Sequence, residues 1–470
     1  MADLHSRIGS ARAAGKSMVR VVDPIDCVEP WQLALAIQEG DTRVMAWSGP
    51  SEGGSPLIFI AAGISAELRP TGGARFDDAS QWWTTIRDQI VELDGKTGEP
   101  TTSGAPACLA GFAFSTGMNR SEAWKGWSDG AICIPEILVV QNHGQTHAVF
   151  TLQADEGLEK LETLRTLLAS WLEAAQPSAA PLPANGGVHS VKTETSDWTA
   201  WEQRVEAARS SLIEGTMDKV VLARAQEYES GKGASFDPLG TAMALRDRQE
   251  DSTTFMIQRR DGQAFLGATP ETLVRLDNGR VETVAMAGTR RRGQEATSDA
   301  ALSSQLLTSA KDRQEQQIVA DAIIQALEPV VSELHRPEDP EVVLLPDVQH
   351  LRTSISGRLR DHANIFDLLC RLHPTPAVGG LPREPALQWL DDHESLDRGW
   401  YAGPIGWLDA QGNGEFVVAI RSVLMAGHQA AAFAGCGLVA HSDARDEWEE
   451  SVVKLQTVRR GLAFRTGAES

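Results

Sequence analysis

Residues 263–276 read QAFLGATPETLVRL, two strand-like apolar runs separated only by a Thr-Pro pair. The runs DKVVLARAQEYE at 218–229 and EFVVAIRSVLMA at 415–426 are also rich in the residues that favour strands. Helical patterns are predicted at 198–214, 300–326 and 445–458. Strands and helices therefore do not alternate strictly, as they would in a doubly wound parallel sheet. We predict an α+β fold with large antiparallel sheets.

The first part of the chain ends at a predicted linker. Short apolar runs at 56–64 and 108–115 predict strands, and IPEILVVQ and THAVFTLQ on either side of an Asn-His-Gly turn predict a hairpin. Leucines at three- and four-residue spacing then predict a helix. The segment AAQPSAAPLPANGG that follows has no apolar period. We therefore divide the chain into residues 1–185 and residues 190–466.

Composition excludes several classes of partner. The 470 residues are 42% hydrophobic and 23% charged, with 43 basic and 64 acidic side chains and a net charge of −21. A field of this sign repels nucleic acid and anionic lipid, so we expect neither as a partner. The five cysteines lack the spacing of a zinc or redox motif. With no signal peptide and no membrane-length apolar run, we expect a cytoplasmic protein with reduced thiols.

Two pairs of acidic residues lie on predicted helices. Asp312 and Glu315 are three residues apart, as are Glu447 and Glu450, and Lys454 follows four residues later. Residues at these offsets share a helix face. Four carboxylates from two helices would suit Mg²⁺, which prefers oxygen ligands. A solvated acidic face explains the same spacing, so the pattern alone leaves both interpretations open.

Two further ionisable residues stand at the ends of predicted strands. Lys219 begins the strand in DKVVLARA, where burial would lower its pKa and allow it to act as a general base. Glu271 follows a strand and a Thr-Pro turn, where burial would raise its pKa and allow it to act as a general acid. A lysine that extends to the surface and an ordinary loop glutamate are the alternatives.

Glycine-rich segments and an arginine could bind an anion. Gly288 and Thr289 lie in AGT, and Gly437 lies in AGCGLVA just before the helix that carries Glu447. Glycine lets backbone amides approach an anion closely, although it also occurs in ordinary turns. Arg421 could bind a carboxylate through two hydrogen bonds or form a surface ion pair.

Nine sequence motifs, by their residues and their order along the chain, resemble those of a known family. The motifs are DKVVLARA, FLGATPE, AGTRRRG, KDRQEQQIV, LHPTPAVGG, YAGPIGW, IRS, AGCGLV and EWEESVVKL. Over residues 195–465 the chain resembles the chorismate-utilising enzymes, which include isochorismate, salicylate, anthranilate and aminodeoxychorismate synthases. Residues 1–185 resemble the variable N-terminal part of the same fold. The resemblance implies an α/β sandwich like that of anthranilate synthase component I, with two large antiparallel β-sheets and outer helices.

The resemblance also implies a reaction. Lys219 matches the lysine that activates water in isochorismate and salicylate synthases, where anthranilate synthases usually carry glutamine. Glu271 matches the acid that protonates the departing hydroxyl. Ala287 stands where some aminodeoxychorismate synthases carry a nucleophilic lysine. The implied activity is Mg²⁺-dependent isomerisation of chorismate to isochorismate in menaquinone or siderophore biosynthesis. Salicylate synthesis, which adds pyruvate elimination, is the alternative, and anthranilate synthesis is a more distant one.

The resemblance assigns further site residues. Glu315 and Glu450 match metal ligands, and Asp312 and Glu447 match their supporting carboxylates. Seven residues match the substrate-binding set: Gly288, Thr289, His373, Tyr401, Arg421, Gly437 and Lys454. His373 is included as the active-site histidine, with no role defined. The expected partner is chorismate, and the expected state is a monomer or weak homodimer.

Overall fold

The computed structural model describes residues 2–26, 29–37, 42–50, 56–117, 121–175, 188–191, 197–231, 233–293, 295–345 and 348–466. The linker at 176–187, with the predicted boundary inside it, and Cys27 lie outside these ranges. The other four cysteines are free. Within the described ranges, every helix is too short or too polar to cross a bilayer.

Helices and strands are distributed along the whole described chain. The helices are α1 Ala2–Ala13, α2 Pro30–Ile37, α3 Arg75–Arg87, α4 Gly157–Ala174, α5 Trp198–Ile213, α6 Pro238–Arg248, α7 Ala296–Thr308, α8 Ala310–Leu327, α9 Ile365–Leu372, α10 Arg383–His393 and α11 Ala444–Gly461. The strands are β1 Met18–Pro24, β2 Val44–Ser48, β3 Ile58–Ala62, β4 Ala66–Leu68, β5 Ile90–Asp94, β6 Pro106–Phe112, β7 Gly130–Ile134, β8 Ile137–Asn142, β9 Gln145–Gln153, β10 Val188–Val191, β11 Lys219–Ser230, β12 Ala234–Phe236, β13 Thr253–Gln258, β14 Ala264–Thr269, β15 Thr272–Asp277, β16 Arg280–Arg291, β17 Val331–His335, β18 Glu341–Leu344, β19 Val348–Leu359, β20 Gly380–Leu381, β21 Pro404–Asp409, β22 Gly414–Val418, β23 Ser422–Ala426, β24 Gln429–Leu438 and β25 Phe464–Thr466.

Two large sheets form the frame, and they confirm the predicted α+β class. The first has 13 strands in the order β10-β11-β24-β23-β14-β13-β2-β3-β8-β9-β1-β5, with β20 beside β11. The second has 10 strands in the order β17-β19-β16-β15-β22-β21-β6-β7-β4, with β18 beside β19. Within the described strands, pairing is antiparallel except between β1 and β5. The predicted hairpin is β8–β9, which turns at His143 and Gly144, both at positive φ.

Both sheets contain strands from both parts of the chain. In the first sheet β2 pairs with β13, and in the second β6 pairs with β21. The two parts distinguished in the sequence therefore complete the same sheets and share one extensive core, which includes Phe112 from the first part and Phe366 from the second.

Two of the crossings of the chain from one sheet to the other lie side by side. β14 and β15 belong to different sheets, and so do β22 and β23. The run EFVVAIRSVLMA, predicted as one strand, is thus two strands with a corner at Arg421, whose φ is 52°. The two crossings are hydrogen-bonded to each other, because Ala268 N–H donates to Arg421 O at 3.3 Å and Val418 N–H donates to Glu271 O at 3.0 Å.

The helix predicted at 300–326 is also divided. α7 ends at Thr308 and α8 begins at Ala310, because Ser309 takes an extended conformation and its hydroxyl caps α8 by accepting a hydrogen bond from Asp312 N–H. The helices predicted at 198–214 and 445–458 correspond to α5 and α11, and each begins at an aspartate N-cap. Helix α8 packs against β16 and β19 of the second sheet, and α11 packs against β24 of the first.

Candidate active site

An open cavity of about 1100 Å³, including solvent at its mouth, contains most of the residues singled out in the sequence. It lies where the two sheet crossings meet α8 and α11. Twelve predicted residues line it: Lys219, Glu271, Gly288, Thr289, Asp312, Glu315, Tyr401, Arg421, Gly437, Glu447, Glu450 and Lys454. His373 does not line it.

Lys219 enters the cavity from the first residue of β11. Its side chain is buried, with 4% of the residue exposed, and Nζ lies 2.7 Å from Glu315 Oε1. Gly437 lies beside it on β24, where a Cβ atom would stand 2.9 Å from Lys219 Cε. A side chain at position 437 would therefore displace the end of the Lys219 side chain from this position.

Glu271 lies between β14 and β15, where the chain passes from the first sheet to the second. Burial raises its pKa to about 7, although Lys219 and Lys454 act in the opposite direction. Only 5% of the residue is exposed. A carboxyl group with this pKa is substantially protonated near neutral pH and can donate a proton.

All four predicted metal-site carboxylates line the cavity. Asp312 and Glu315 come from α8, and Glu447 and Glu450 come from α11. Cations already contact this set: Arg290 Nη2 lies 3.0 Å from Asp312 Oδ2, and Lys454 Nζ lies 2.7 Å from Glu450 Oε1. Hard oxygen donors of this number and charge fit Mg²⁺.

The thiol of Cys436 is close to these carboxylates. Its Sγ lies within 4.8 Å of carboxylate oxygens of Glu447 and Glu450. Burial raises the pKa of the thiol, and Sγ donates a hydrogen bond to Glu447 O at 3.1 Å. Mg²⁺ prefers oxygen ligands, so the carboxylates and not this thiol are the donors that suit it.

Positive charge and a phenol also line the cavity. Arg421 is buried and its Nη1 donates to Thr457 Oγ1 at 3.2 Å. Lys454 Nζ donates to Gly435 O at 2.8 Å; burial acts to lower its pKa, but the Glu450 carboxylate raises it above the ordinary value. Burial raises the pKa of Tyr401 to about 12, so this phenol is a neutral donor. This arrangement suits a carboxylate ligand.

The histidine at the cavity is His350, and the prediction of His373 is corrected. His373 Nε2 lies 2.9 Å from Phe114 O, and its ring packs edge-on against Phe114 and Phe76. His350 lines the cavity with Nδ1 3.1 Å from Thr289 Oγ1. Burial, reinforced by Arg421 and Lys454, lowers its pKa to about 3, so the ring is neutral.

Sequence reasoning missed His350 because its neighbour is distant in the chain. It lies opposite Thr289 in the register of β16 and β19. The available signal was the strand-like segment VQHLRTSISG at 348–357, which carries a histidine at its start.

Comparison with known proteins agrees with this geometry. A family model described as "Chorismate binding enzyme" matches residues 5–463. The chain is 37% identical to the salicylate biosynthesis isochorismate synthase of Pseudomonas aeruginosa over 97% of this chain and 92% of that protein. It is 32% identical to the isochorismate synthase MenF of Bacillus subtilis over 88% of this chain and 87% of that protein.

Solved structures share the fold. The menaquinone-specific isochorismate synthase MenF of Escherichia coli superposes with a TM-score of 0.76 at 24% identity, covering 98% of this chain and 99% of that one. Anthranilate synthase component I of Streptococcus pneumoniae superposes with a TM-score of 0.67 at 20% identity, covering 89% and 92%. At these identities the likeness establishes the architecture alone.

Proposed function

Because this chain belongs to the chorismate-binding enzyme family, we propose that it is an isochorismate synthase, an isomerase that converts chorismate to isochorismate. The relatives named as isochorismate synthases support this activity over most of the chain. The observation that carries the proposal is that buried Lys219 and buried Glu271 line one cavity, together with the cations Arg421 and Lys454 and four carboxylates.

Lys219 and Glu271 supply the proton transfers. As neutral amine, Lys219 takes a proton from water while the water oxygen bonds to a ring carbon. The double bond shifts across the allylic system, and the bond from the ring to the departing hydroxyl breaks. Glu271 donates its proton to that hydroxyl, which leaves as water. The raised pKa of Glu271, about 7, supports its role as the acid.

Glu315 and Glu450, supported by Asp312 and Glu447, would hold Mg²⁺. When bound, Mg²⁺ neutralises the ring carboxylate of chorismate and withdraws charge from the ring. The presence of all four carboxylates in the lining of one cavity supports this assignment.

Arg421, Lys454 and Tyr401 would hold the pyruvyl carboxylate. The first two supply positive charge and the third supplies a neutral hydrogen-bond donor. Gly437, with its backbone amide, lines the same cavity, as do Gly288 and Thr289. This local set explains how a chain with a net charge of −21 can bind a dianion.

The test is to incubate the purified protein with chorismate and MgCl₂ in ¹⁸O-labelled water and to separate the products by chromatography with mass detection. We expect isochorismate with one ¹⁸O atom in its new hydroxyl. Salicylate and pyruvate would show that elimination follows on the same residues. Anthranilate formed from added ammonium without isochorismate would overturn the proposal.

A further inference from the structure

The residue that follows each predicted metal-ligand glutamate is polar and buried. Gln316 follows Glu315 on α8, and Ser451 follows Glu450 on α11. Gln316 is 1% exposed and Ser451 is 0% exposed. Adjacent residues on a helix point about 100° apart, so each polar residue faces the sheet beside its glutamate rather than the cavity. Neither residue lines the cavity.

Gln316 joins α8 to two strands of the second sheet. Its Nε2 donates to Ala285 O of β16 at 2.8 Å and to Thr353 Oγ1 of β19 at 2.9 Å. The amide thus bridges the strand pair across which α8 lies. Such a directional contact fixes the rotation of the helix about its axis more closely than apolar packing does, because hydrogen bonds weaken steeply with angle.

Arg224 performs the corresponding task for α11. Its Nε donates to Ser451 Oγ at 2.7 Å, and Ser451 Oγ donates in turn to Trp448 O at 2.7 Å. The guanidinium carbon lies 3.9 Å from the centroid of the Trp448 ring. Arg224 therefore holds one turn of α11 through a hydrogen bond and a stacking contact, and Glu447 and Glu450 belong to that turn.

Packing stability does not account for a guanidinium at this position. Arg224 is 2% exposed, and burial lowers its pKa to about 10. Its Nη1 has no hydrogen-bond partner among the described residues. An apolar side chain of similar volume avoids this desolvation cost. What an apolar side chain cannot supply is the directional bond to Ser451.

We infer that Gln316 and the Arg224–Ser451 pair, here called the buried anchors, are positioning residues of the Mg²⁺ site. The inference rests on the proposed function. Metal–oxygen distances tolerate deviations of only about 0.2 Å, so two helices that each supply ligands must be held in a fixed rotation. The buried anchors provide that constraint from the side of each helix that faces away from the metal.

The test measures Mg²⁺ binding by isothermal titration calorimetry on the wild type and on Gln316→Leu, Arg224→Met and Ser451→Ala. We expect the Kd for Mg²⁺ to rise about 10- to 100-fold, the usual effect of losing a partner that orients metal ligands. Isochorismate formation should recover toward the wild-type kcat at saturating Mg²⁺. Ser451→Ala removes one oxygen atom and keeps the test usable if a larger change impairs folding.

A positioning role differs from a purely structural or electrostatic role in what the titration measures. A purely structural role would lower the fraction of folded protein and the binding stoichiometry but leave Kd unchanged. Loss of the positive charge of Arg224 would by itself strengthen binding of a cation. Weaker Mg²⁺ binding in Arg224→Met would therefore distinguish the positioning role from this electrostatic effect. Arg20→Met, which removes a buried arginine from the Glu92 ion pair on β1, is the control for destabilisation and should keep the wild-type Kd.

Glu315→Gln serves as the reference for the metal site itself. If the wild type fails to bind Mg²⁺, or if Glu315→Gln binds it normally, the metal assignment in the proposed function fails. If the wild type binds Mg²⁺, Glu315→Gln loses it and all three anchor variants keep the wild-type Kd, the metal assignment stands and the inference about the buried anchors is wrong.

Discussion

Lys219 Nζ and Glu315 Oε1 lie 2.7 Å apart, so the proposed general base is paired with a proposed metal ligand. The contact joins β11 to α8 across the cavity. A cation that binds Glu315 would compete with the amine for this carboxylate. The occupancy of the metal site and the freedom of the Lys219 amine are therefore coupled through one carboxylate.

We predict that Glu315→Gln and Glu450→Gln each abolish isochorismate formation without unfolding the protein. An amide is a weaker ligand than a carboxylate for a hard cation. Activity should be assayed with MgCl₂ and with excess chelator, and folding should be checked by circular dichroism. The control is Glu449→Gln, because Glu449 is half-exposed and paired with Arg291 outside the cavity. Full turnover in excess chelator would contradict the assignment.

Lys219→Ala should lower kcat by about 10²- to 10⁴-fold, the usual contribution of a positioned proton-transfer group. The loss should appear in both directions of the reaction because both share one transition state. KM for chorismate should change less, since Arg421 and Lys454 still bind the carboxylate. Lys160→Ala is a suitable control, because Lys160 pairs with Glu136 away from the cavity. A kcat near the wild-type value would require another base.

The raised pKa of Glu271 predicts a pH dependence that both directions of the reaction share. Chorismate conversion needs the protonated carboxyl, so a plot of log(kcat/KM) against pH should bend downward as pH rises through about 7. Isochorismate conversion should show the same bend, because the isomerisation takes up no proton and the ratio of the two kcat/KM values, which is the equilibrium constant, does not change with pH. Initial rates in both directions between about pH 5 and 9 measure this. Persistence of the bend near pH 7 in Glu271→Gln would exclude Glu271 as the acid.

The same carboxyl should make the apo protein less stable at high pH. Its pKa is about 7 when folded and 4.5 as the ordinary value. The folded state thus binds the proton more tightly, and the stability this contributes is complete below pH 4.5 and lost as pH rises through 7. At pH 8, Glu271→Gln should be more stable than the wild type by up to about 3 kcal/mol, from 1.36 kcal/mol per pKa unit. Urea unfolding at pH 5 and pH 8 tests the difference, which should be much smaller at the lower pH.

The two histidines should respond differently to substitution. His350→Ala removes a neutral hydrogen-bonding group from the cavity, and KM for chorismate should rise about 3- to 10-fold, as expected for one hydrogen bond. His373→Asn should lower Tm and leave KM unchanged, because His373 packs between Phe114 and Phe76. Thermal unfolding and steady-state kinetics on both variants measure this. The reverse pattern would restore His373 as the active-site histidine.

The sequence predicted the fold class because strand-like runs follow each other without helices, and it predicted α5 and α11 closely. It could not predict that 415–426 bends from one sheet to the other, since the corner at Arg421 depends on a positive φ and on a contact with Ala268. The sequence motifs identified twelve of the residues that line the cavity. His350 was not predicted, because it is brought to Thr289 by the pairing of two strands and not by proximity in the chain.

The interleaving of β2 with β13 and of β6 with β21 limits how this enzyme can be dissected. A fragment beginning near residue 197 would retain Lys219, Glu271 and the four carboxylates, yet it would expose β13 and β21 as bare edges prone to aggregation. Residues 1–185 are thus not a module that can be exchanged independently of the rest of the chain. Co-expression of two fragments cut between residues 176 and 187 offers a better route, because each supplies the strands that the other lacks.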